Sequence, residues 1–414
     1  MKKIVITGVG IVSPIGNNKQ EFWASLSTGK HGFSRITRFD VSTYPCQVHA
    51  DVKNYDVTQY VDKKRARRMD LFTQFAIGAA KMAMQDSGLD ITKLDPERCG
   101  VIVGSGIGGL PTIEAQHSVL LEKGINRVSP FLIPMLITNI APGEIAIEFG
   151  FVGPNYSVSS ACATANSAIG AALRHMRYGD ADVMIAGGTE GAITPLGMAG
   201  FAQAQALTFD FNDNPGQASR PFDAKRSGFV MGEGAGIVVL ETEEHAKKRG
   251  AKIYAELAGY GATDDAYHIT APSPELKAAV RAMQLAMNDA GVGPDDIDYV
   301  NAHGTSTPLN DKTETAVIKA ALGERARKIP ISSTKSMTGH MLGAAGGAEL
   351  IATLLCMENN LIHPTINYAT PDPECDLDYV PNTARPGKID CALSNSLGFG
   401  GHNAVLVVKK YDNA

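Results

Sequence analysis

The alternation of apolar and polar positions along the chain predicts a mixture of strands and helices. Residues 4–15 are mostly apolar but are interrupted by glycines and a proline, which predicts a first strand and a turn and not a signal peptide. Residues 72–87 have the apolar spacing of an amphipathic helix. Residues 156–160 alternate larger and small side chains and predict a buried strand. The alanine-rich residues 163–176, which contain no proline, predict a helix.

Three short patterns occur twice in the chain, in the same order. Each pair occupies corresponding places in two halves: 83–88 and 286–291, 159–162 and 332–335, 232–240 and 400–408. This order indicates two copies of one α/β unit. We expect the domains to be residues 1–250 and 251–414, with the join after a charged segment near residue 250.

The helix after Cys162 and the helix that begins near Gly343 are rich in small residues on several sides. Such helices have to be buried, and small side chains allow close approach. We therefore expect these two helices to pack together at a pseudo-twofold axis, between two sheets.

Cys162 is predicted to lie at a helix N-terminus, where unpaired amides and the helix dipole favour an anion. If that terminus contributes up to ~2 kcal/mol, the pKa of the thiol falls from ~8.5 to roughly 7. The prediction is a nucleophilic cysteine. The alternative is a buried thiol that only fills space, as most free cysteines do.

Composition narrows the classes of function. The chain has 414 residues, 44% hydrophobic and 20% charged, and a net charge of −5, so no overall charge favours nucleic acid or an anionic membrane. Its six cysteines form no CxxC pair and there is no HExxH, so neither a disulfide framework nor a metal site is expected. Two glycine-rich turns lack the full dinucleotide-binding pattern, so no such cofactor is expected. Without an apolar run of about eighteen residues, the expected location is cytoplasmic.

Two histidines are candidates for catalysis. His303 follows a predicted strand in a polar, glycine-containing loop, and His340 lies on the loop that the repeat makes equivalent to the Cys162 loop. If the halves face each other, both histidines converge on Cys162. Each could instead be structural, which is the usual role of a lone histidine.

Three further residues have candidate roles near these histidines. Glu349 interrupts an apolar helix and would be costly to bury unpaired, and Lys335 is the obvious cation to pair with it. The alternative is an exposed Glu349. Phe399 lies between glycines, so its ring could swing. The amides around it, with that of Cys162, could form an oxyanion hole, although Phe399 could also be core filler.

A basic run precedes the helix at residues 72–87, and a more distant arginine adds to its positive charge. The members are Lys63, Lys64, Arg65, Arg67, Arg68 and Arg127. Most such runs are solvated faces. The alternative is a docking surface for an acidic partner, which long-range attraction would steer to it.

Four motifs together resemble the β-ketoacyl-acyl carrier protein synthases, and most of all the elongating enzymes of bacterial fatty acid synthesis. The motifs are Ser160–Cys162, Asn301–Thr307, Ser333–His340 and Gly398–Gly401. The resemblance implies a thiolase-like duplicated αβαβα five-layer fold with pseudo-twofold symmetry, and a homodimer. It implies condensation of an acyl group on Cys162 with malonyl-acyl carrier protein, giving 3-oxoacyl-acyl carrier protein and CO2.

The same resemblance implies roles for the individual residues. His303 and His340 would act on the malonyl thioester, Lys335 and Glu349 would support them, and Phe399 would be a gate. Thr305 and Thr307 would contact the phosphopantetheine arm, Ile107 and Phe201 would line the acyl tunnel, and the basic residues would meet the carrier protein. No redox cofactor or metal is implied, although a structural monovalent cation near Ser394 and Asn395 is allowed.

Three other kinds of protein with this fold are alternatives to a fatty acid condensing enzyme. A degradative thiolase would need a second cysteine near the C-terminus, where this chain has Gly398–His402. A polyketide ketosynthase would differ mainly in its tunnel, and a non-catalytic chain-length partner would lack Cys162. The chain departs from the pattern at Ser167, Gln205 and His402, where many relatives have His, Arg and Thr.

Overall fold

The computed structural model describes residues 2–412, which form a ten-stranded sheet divided into two five-stranded sheets, and two small sheets of three and two strands. Helices lie between and outside the two five-stranded sheets. The strands are β1 (Ile4–Val12), β2 (Ser34–Arg35), β3 (Val48–Ala50), β4 (Cys99–Gly104), β5 (Asn155–Tyr156), β6 (Val183–Glu190), β7 (Met231–Gly232), β8 (Gly234–Thr242), β9 (Ala255–Asp264), β10 (Tyr299–Asn301), β11 (Ile331–Ser332), β12 (Leu361–Ile362), β13 (Arg385–Pro386), β14 (Cys391–Gly398) and β15 (His402–Lys409). The helices are α1 (Lys19–Thr28), α2 (Lys63–Ala66), α3 (Leu71–Ser87), α4 (Leu110–Lys123), α5 (Leu132–Leu136), α6 (Ile140–Phe149), α7 (Thr164–Tyr178), α8 (Pro195–Gln203), α9 (Glu243–Lys248), α10 (Lys277–Ala290), α11 (Pro308–Leu322), α12 (Lys335–Thr338) and α13 (Ala345–Asn359).

The strand order is the same in both halves of the molecule. The first sheet runs β5-β4-β6-β8-β1 and the second runs β11-β10-β14-β15-β9, and they join only where Val5 and Ile6 pair with Glu256 and Ala255. In each sheet, taken in that order, the first two strand pairings are parallel, and the last two, which are nearest the junction between the sheets, are antiparallel. This duplication confirms the predicted fold, while the boundary at residue 250 stays a prediction.

Helices α7 and α13 lie between the two sheets and contact each other, as the abundance of small residues predicts. Residues 345–357 of α13 are all buried. Gly170 of α7 approaches the Tyr260 ring so closely that a Cβ would lie 2.4 Å from it. On the outer faces, α3 packs on β1 and β8, and α10 packs on β9 and β15. The two central helices therefore bring the loops that precede them to one place.

The strand predicted at residues 156–160 is wrong in length and burial. β5 contains only Asn155 and Tyr156, and both are exposed at the edge of the first sheet. The chain leaves the sheet after Tyr156 because the Ser160 amide donates to Thr164 Oγ1 at 2.9 Å, which turns the backbone into α7. Between residues 2 and 412, no helix combines the length and apolar character needed to cross a membrane.

Candidate active site

Cys162 lies in the short 3-10 turn Ala161–Ala163 that leads directly into α7. Ala161 has a left-handed φ of 49°, and Thr164 Oγ1 fixes the turn by donating to the Ala161 carbonyl at 2.7 Å. Gly398 at the end of β14 packs against this turn, and a Cβ there would lie 2.7 Å from the Ser160 carbonyl oxygen. Only glycine allows this approach of the second half to the nucleophile.

The thiol of Cys162 does not have the depressed pKa that the helix terminus predicts. Burial raises its pKa to about 12, while Lys335 and a hydrogen bond from the Phe399 backbone act in the opposite direction. The prediction considered the helix dipole alone, and loss of hydration of the thiolate outweighs that contribution here. The unacylated site therefore contains a neutral thiol at pH 7.

His303 lies in the loop after β10 and is held on two sides. Its amide and that of Gly304 each donate to the Glu314 carboxylate at 2.7 Å. On the ring, Nδ1 lies 3.2 Å from Lys335 Nζ, which also donates to the His303 carbonyl at 2.6 Å. Because the lysine ammonium can only donate, Nδ1 accepts and the ring proton is on Nε2.

His340 follows α12 and has the same tautomer for a different reason. Its Nδ1 accepts a hydrogen bond from the Leu342 amide at 3.2 Å, so its proton is also on Nε2. The backbone is fixed because the His340 amide donates to the Val230 carbonyl at 2.7 Å, and the Gly232 amide donates to the His340 carbonyl at 2.8 Å. The chain therefore holds this imidazole through its main chain.

The two imidazoles lie together and are neutral. Their ring centroids are 5.3 Å apart, at an interplanar angle of 85°. Burial lowers the pKa of His303 and of His340 well below the usual value, and nearby Lys335 lowers both further. The site therefore presents two neutral N–H donors. Such a pair can stabilise a developing oxyanion without losing a proton to solvent.

Lys335 and Glu349 form a fully buried ion pair, with side chains 1% and 2% exposed. Lys335 thus bridges the Glu349 carboxylate and the His303 ring. The second oxygen of Glu349, Oε2, has no hydrogen-bond partner among the described residues. Three more buried oxygens without a partner among the described residues belong to β14: Ser394 Oγ, Asn395 Oδ1 and Ser396 Oγ. These are oxygen ligands of the kind that hard cations prefer.

Cys162, His303 and His340 line one cavity of about 250 Å³. Thr305 and Thr307 also line it, and their hydroxyl oxygens are 2.9 Å apart. Most of the remaining lining is apolar. The structure therefore brings the three predicted reactive side chains to a single cavity, with the two threonines on its wall.

Phe399, Phe201 and Ile107 pack with Cys162 in one apolar cluster, and the two phenylalanines also line the cavity. The ring centroids of Phe399 and Phe201 are 6.4 Å apart. Phe399 precedes Gly400, which has a φ of 88°, a conformation that a side chain would strain. Gly400 therefore allows the backbone next to the Phe399 ring to adopt conformations that other residues rarely adopt.

The basic residues do not form one uniform surface. Lys63, Lys64, Arg67, Arg68 and Arg127 are exposed, and Arg68 lies over the Phe131 ring at 4.5 Å. Arg65 differs, because its guanidinium binds Glu144 at 3.0 Å and also pairs with Glu148. Its charge is neutralised by α6, so Arg65 does not belong to the exposed basic set.

The three departures from the family pattern lie in different places. Ser167 Oγ accepts a hydrogen bond from Ser160 Oγ at 2.8 Å, beside the nucleophile turn. Gln205, with a φ of 53°, lines the reactive cavity. His402 is about half exposed and lies 3.4 Å from Asp264. None of the three contacts displaces Cys162 or either histidine.

Sequence reasoning missed Glu314, whose carboxylate holds the His303 loop. Burial raises its pKa to about 7, although the bonded amides of Gly304 and His303 lower it. A signal was present: Glu314 shares a helix face with Val317 and Ile318, which are three and four residues on. An acidic residue on the apolar face of a helix indicates a buried, bonded carboxylate.

Comparisons with known proteins agree with this geometry. The model of the N-terminal domain of the beta-ketoacyl synthases matches residues 1–246, and that of the C-terminal domain matches residues 254–369. The chain is 53% identical over 410 residues to 3-oxoacyl-[acyl-carrier-protein] synthase 2 of Synechocystis sp., covering 99% of this chain and 98% of that protein. It is also 53% identical over 411 residues to the Staphylococcus aureus (strain COL) protein of the same name, covering 99% of each.

Solved structures give the same result. The ishigamide ketosynthase/chain length factor superimposes with a TM-score of 0.92 at 36% identity, covering 99% of this chain and 100% of that one. A type II polyketide ketosynthase, solved with its acyl-carrier protein and a hexaketide, gives a TM-score of 0.91 at 37% identity, with the same coverage. With both family domains matched and half of its residues shared with full-length relatives, the chain belongs to the beta-ketoacyl synthase family.

Proposed function

We propose that this protein condenses an acyl group on Cys162 with malonyl-acyl carrier protein, producing 3-oxoacyl-acyl carrier protein and CO2 in fatty acid elongation. The observation that carries the proposal is the single cavity lined by a cysteine and two imidazoles that present Nε2–H. The relatives named 3-oxoacyl-[acyl-carrier-protein] synthase 2, at 53% identity over almost the full chain, support it.

In the first half-reaction, the sulfur of Cys162 attacks the carbonyl carbon of an acyl-carrier thioester. A new C–S bond forms, the bond to the carrier sulfur breaks, and the proton of the Cys162 thiol passes to the departing carrier thiol. The amides of Cys162 and Phe399 are the proposed donors to the tetrahedral oxyanion. Because burial raises the pKa of Cys162, the resting thiol is neutral and loses its proton as the new C–S bond forms.

In the second half-reaction, the malonyl thioester oxygen accepts hydrogen bonds from Nε2–H of His303 and of His340. Loss of CO2 leaves its electron pair on the thioester as an enolate, and these donors stabilise the new negative charge. The carbanion then attacks the acyl carbonyl on Cys162, so that a C–C bond forms and the C–S bond breaks. The sulfur of Cys162 is released as a thiolate and takes up one proton from solvent, which balances the loss of the malonyl carboxylate as CO2.

The surrounding residues suit the two substrates of this reaction. We propose that Thr305 and Thr307 bind the phosphopantetheine arm, since both line the reactive cavity. The acyl chain would extend between Ile107 and Phe201, which pack beside the thiol. Phe399 lines the same cavity beside Phe201 and is the proposed gate, because the adjacent Gly400 permits its backbone to move.

The proposed protein partner is the acyl carrier protein bearing acyl or malonyl phosphopantetheine. The exposed side chains of Lys63, Lys64, Arg67, Arg68 and Arg127 would bind its acidic surface, whereas Arg65 is already neutralised. The solved ketosynthase in complex with its own acyl-carrier protein supports this partner. We propose no nucleic-acid or membrane partner, and a cytoplasmic location stays a prediction.

We also propose that the protein is a homodimer through the face formed by α4, α5 and α6. Large apolar side chains are exposed on this face and next to it: Leu121, Ile125, Ile133, Ile147 and Val152, with exposed fractions from 59% to 78%. The edge strand β5 lies beside them with unpaired backbone groups on its outer side. Sedimentation velocity tests the dimer, and a stable monomer at micromolar concentration contradicts it.

No redox cofactor enters the proposed chemistry, but we propose a structural monovalent cation near Ser394 and Asn395. Asn395 Oδ1 is buried without a partner among the described residues, and Asn395 Nδ2 donates to the buried Glu314 carboxylate at 3.3 Å. A bound cation would balance the charge of that carboxylate. Elemental analysis of the dialysed protein, and its melting temperature in potassium against choline chloride, test this proposal.

A polyketide ketosynthase is the second candidate function, because one of the similar structures is a type II polyketide ketosynthase with its acyl-carrier protein. The products discriminate between the two. We would supply acyl carriers of graded length together with malonyl carrier, and identify the products by mass spectrometry. Single extension to a 3-oxoacyl carrier supports fatty acid elongation, repeated extension without reduction supports the polyketide function, and no extended product contradicts both.

A further inference from the structure

Glu190 is a fully buried carboxylate for which the proposed chemistry has no role. It is the last residue of β6 and has no measurable exposure. Oε1 accepts hydrogen bonds from Ser105 Oγ at 2.8 Å and from the Ile107 amide at 3.2 Å. Oε2 accepts from the amides of Gly106 and Gly343, both at 3.0 Å.

The partners of Glu190 come from both halves of the molecule. Ser105, Gly106 and Ile107 form the loop after β4, and Ile107 packs against the Cys162 cluster. Gly343 belongs instead to the second half, in the turn that follows His340. One side chain therefore bonds an acyl-side loop of the first half to the His340 turn of the second.

The Glu190 carboxylate, Gly106 and Gly343 approach one another closely. A Cβ at Gly343 would lie 2.5 Å from the Gly106 amide nitrogen and 2.8 Å from Glu190 Oε2. A Cβ at Gly106 would lie 2.9 Å from the same carboxylate oxygen. Burial raises the pKa of Glu190, while the two bonds that each carboxylate oxygen accepts from neutral donors favour the ionised form. A buried charge is costly, so this number of bonds indicates a specific role for the carboxylate.

Few contacts separate Glu190 from His340. Gly343 follows Leu342, whose amide donates to His340 Nδ1 and so places the imidazole proton on Nε2. Leu342 has a left-handed φ of 48°, a strained conformation for a leucine that the surrounding bonds have to hold. Holding the Gly343 amide fixes the peptide that follows Leu342. Glu190 thus acts on the direction in which the His340 N–H points.

We propose that Glu190 is a positioning residue for the decarboxylation half-reaction: it locks the Leu342–Gly343 turn and thereby aims Nε2–H of His340 at the malonyl thioester. This inference rests on the proposed function. It assigns Glu190 no contact with substrate and no proton transfer. The nucleophile turn has its own supports in Thr164 and Gly398, so acylation of Cys162 should depend on Glu190 much less.

The test compares two half-reactions in Glu190→Gln. In either orientation the glutamine NH2 faces a backbone amide that needs an acceptor, Ile107 in one and both Gly106 and Gly343 in the other, so at least one of these bonds is lost. We expect CO2 release from malonyl carrier protein to fall at least ~10-fold, since complete loss of an oxyanion donor costs ~10²–10³-fold. Alkylation of Cys162 by iodoacetamide at a fixed alkaline pH should stay within about threefold of wild type or rise, because removing this negative charge favours the thiolate.

Two further variants keep the test decisive if Glu190→Gln does not fold. Gly343→Ala inserts a methyl between Glu190 and the turn and should also slow CO2 release, with the carboxylate still present. Glu190→Asp keeps the charge and should release CO2 faster than Glu190→Gln. The matched control is Glu241→Gln, a buried carboxylate on β8 that bonds Thr7 and Arg249. This control should lower the melting temperature and leave CO2 release per folded molecule within about twofold.

The outcomes separate the inference from the proposed function. If the variants lose CO2 release and Cys162 alkylation in parallel, or lose neither, the positioning role is wrong. If wild-type protein itself releases no CO2 from malonyl carrier protein, the proposed function fails, whatever the variants do.

Discussion

Lys335 Nζ lies 3.2 Å from His303 Nδ1 while its charge is paired with the buried Glu349 carboxylate. One ammonium thus sets the tautomer of the imidazole and depends on a carboxylate 14 residues further along the chain. The same arrangement keeps a positive charge behind the ring, which lowers the pKa of both histidines. We therefore expect the ion pair to affect the chemistry of the site as well as its packing.

Glu349→Gln tests this relationship. The glutamine oxygen can still accept from Lys335, so the fold should survive, but the ammonium would lose its counter-charge and shift relative to His303. We expect condensation to fall at least ~10-fold, while the melting temperature changes by only a few degrees. Steady-state kinetics and calorimetry measure the two effects. A fully active Glu349→Gln protein would remove Glu349 from the account.

Lys335→Ala should be more damaging to stability, because it leaves Glu349 buried without its cation. Breaking a buried pair by removing one partner typically costs ~3–5 kcal/mol. The free energy of unfolding, measured in urea, should fall by about that amount. Lys247→Ala is the control, since its partner Glu243 is on the surface, and it should change stability by less than ~1 kcal/mol. Equal effects of the two substitutions would contradict the burial argument.

The pH dependence of Cys162 alkylation follows from its raised pKa of about 12. The thiolate is the reactive form, so below that pKa its fraction rises about tenfold per pH unit. We expect the rate with iodoacetamide to increase without a plateau from pH 7 to pH 9.5. Peptide mapping would assign the labelled cysteine. A plateau near pH 7 would instead restore the helix-terminus prediction.

The loss of stability in acid should show that His303 and His340 are neutral in the folded protein. His303 and His340 have pKa values well below the usual value in the folded protein, whereas in the unfolded chain they gain protons below pH ~6.5. The unfolded state then binds more protons, so stability is lost as pH falls below ~6.5. The double variant His303→Ala/His340→Ala should show a weaker loss of unfolding free energy between pH 6.5 and 5. If the double variant loses unfolding free energy with pH as steeply as wild type, groups other than these histidines cause the acid destabilisation.

Gly398→Ala tests the close approach of β14 to the nucleophile turn. Its methyl would lie 2.7 Å from the Ser160 carbonyl and 3.2 Å from the Cys162 amide, so the turn has to move. We expect acylation of Cys162 to slow at least ~10-fold, because the proposed oxyanion donors lose their alignment. Gly200→Ala on α8 is the control, since nothing lies within 4 Å of its added methyl. Equal acylation rates in both variants would contradict the prediction.

The sequence predicted those features that follow from local pattern and repetition. The duplicated fold follows from the three repeated segments, and the turns that carry Cys162, His303 and His340 follow from strand ends and glycines. Each of these features is encoded by residues that lie close to one another in sequence. The structure places all three residues at one cavity, as the sequence predicts.

Other features depend on distant packing and could not be predicted. The pKa of Cys162 depends on how completely neighbouring loops exclude water, which no local pattern reveals. Arg65 is neutralised by Glu144, which lies 79 residues away in sequence, so the basic run alone could not indicate its state. Glu190 acquires the last of its four hydrogen bonds only when Gly343 of the other half packs against it.

The central claim is that Cys162 accepts the acyl group while His303 and His340 drive loss of CO2. The most direct measurement follows both half-reactions in Cys162→Ala and in His303→Ala/His340→Ala, with acylated peptides identified by mass spectrometry and CO2 trapped from malonyl carrier protein. The account predicts that the cysteine variant takes up no acyl group but still releases CO2. The histidine variant should be acylated at Cys162 and release CO2 at least ~10²-fold more slowly than wild type. Acylation of any other residue, or full CO2 release without the histidines, would contradict the account.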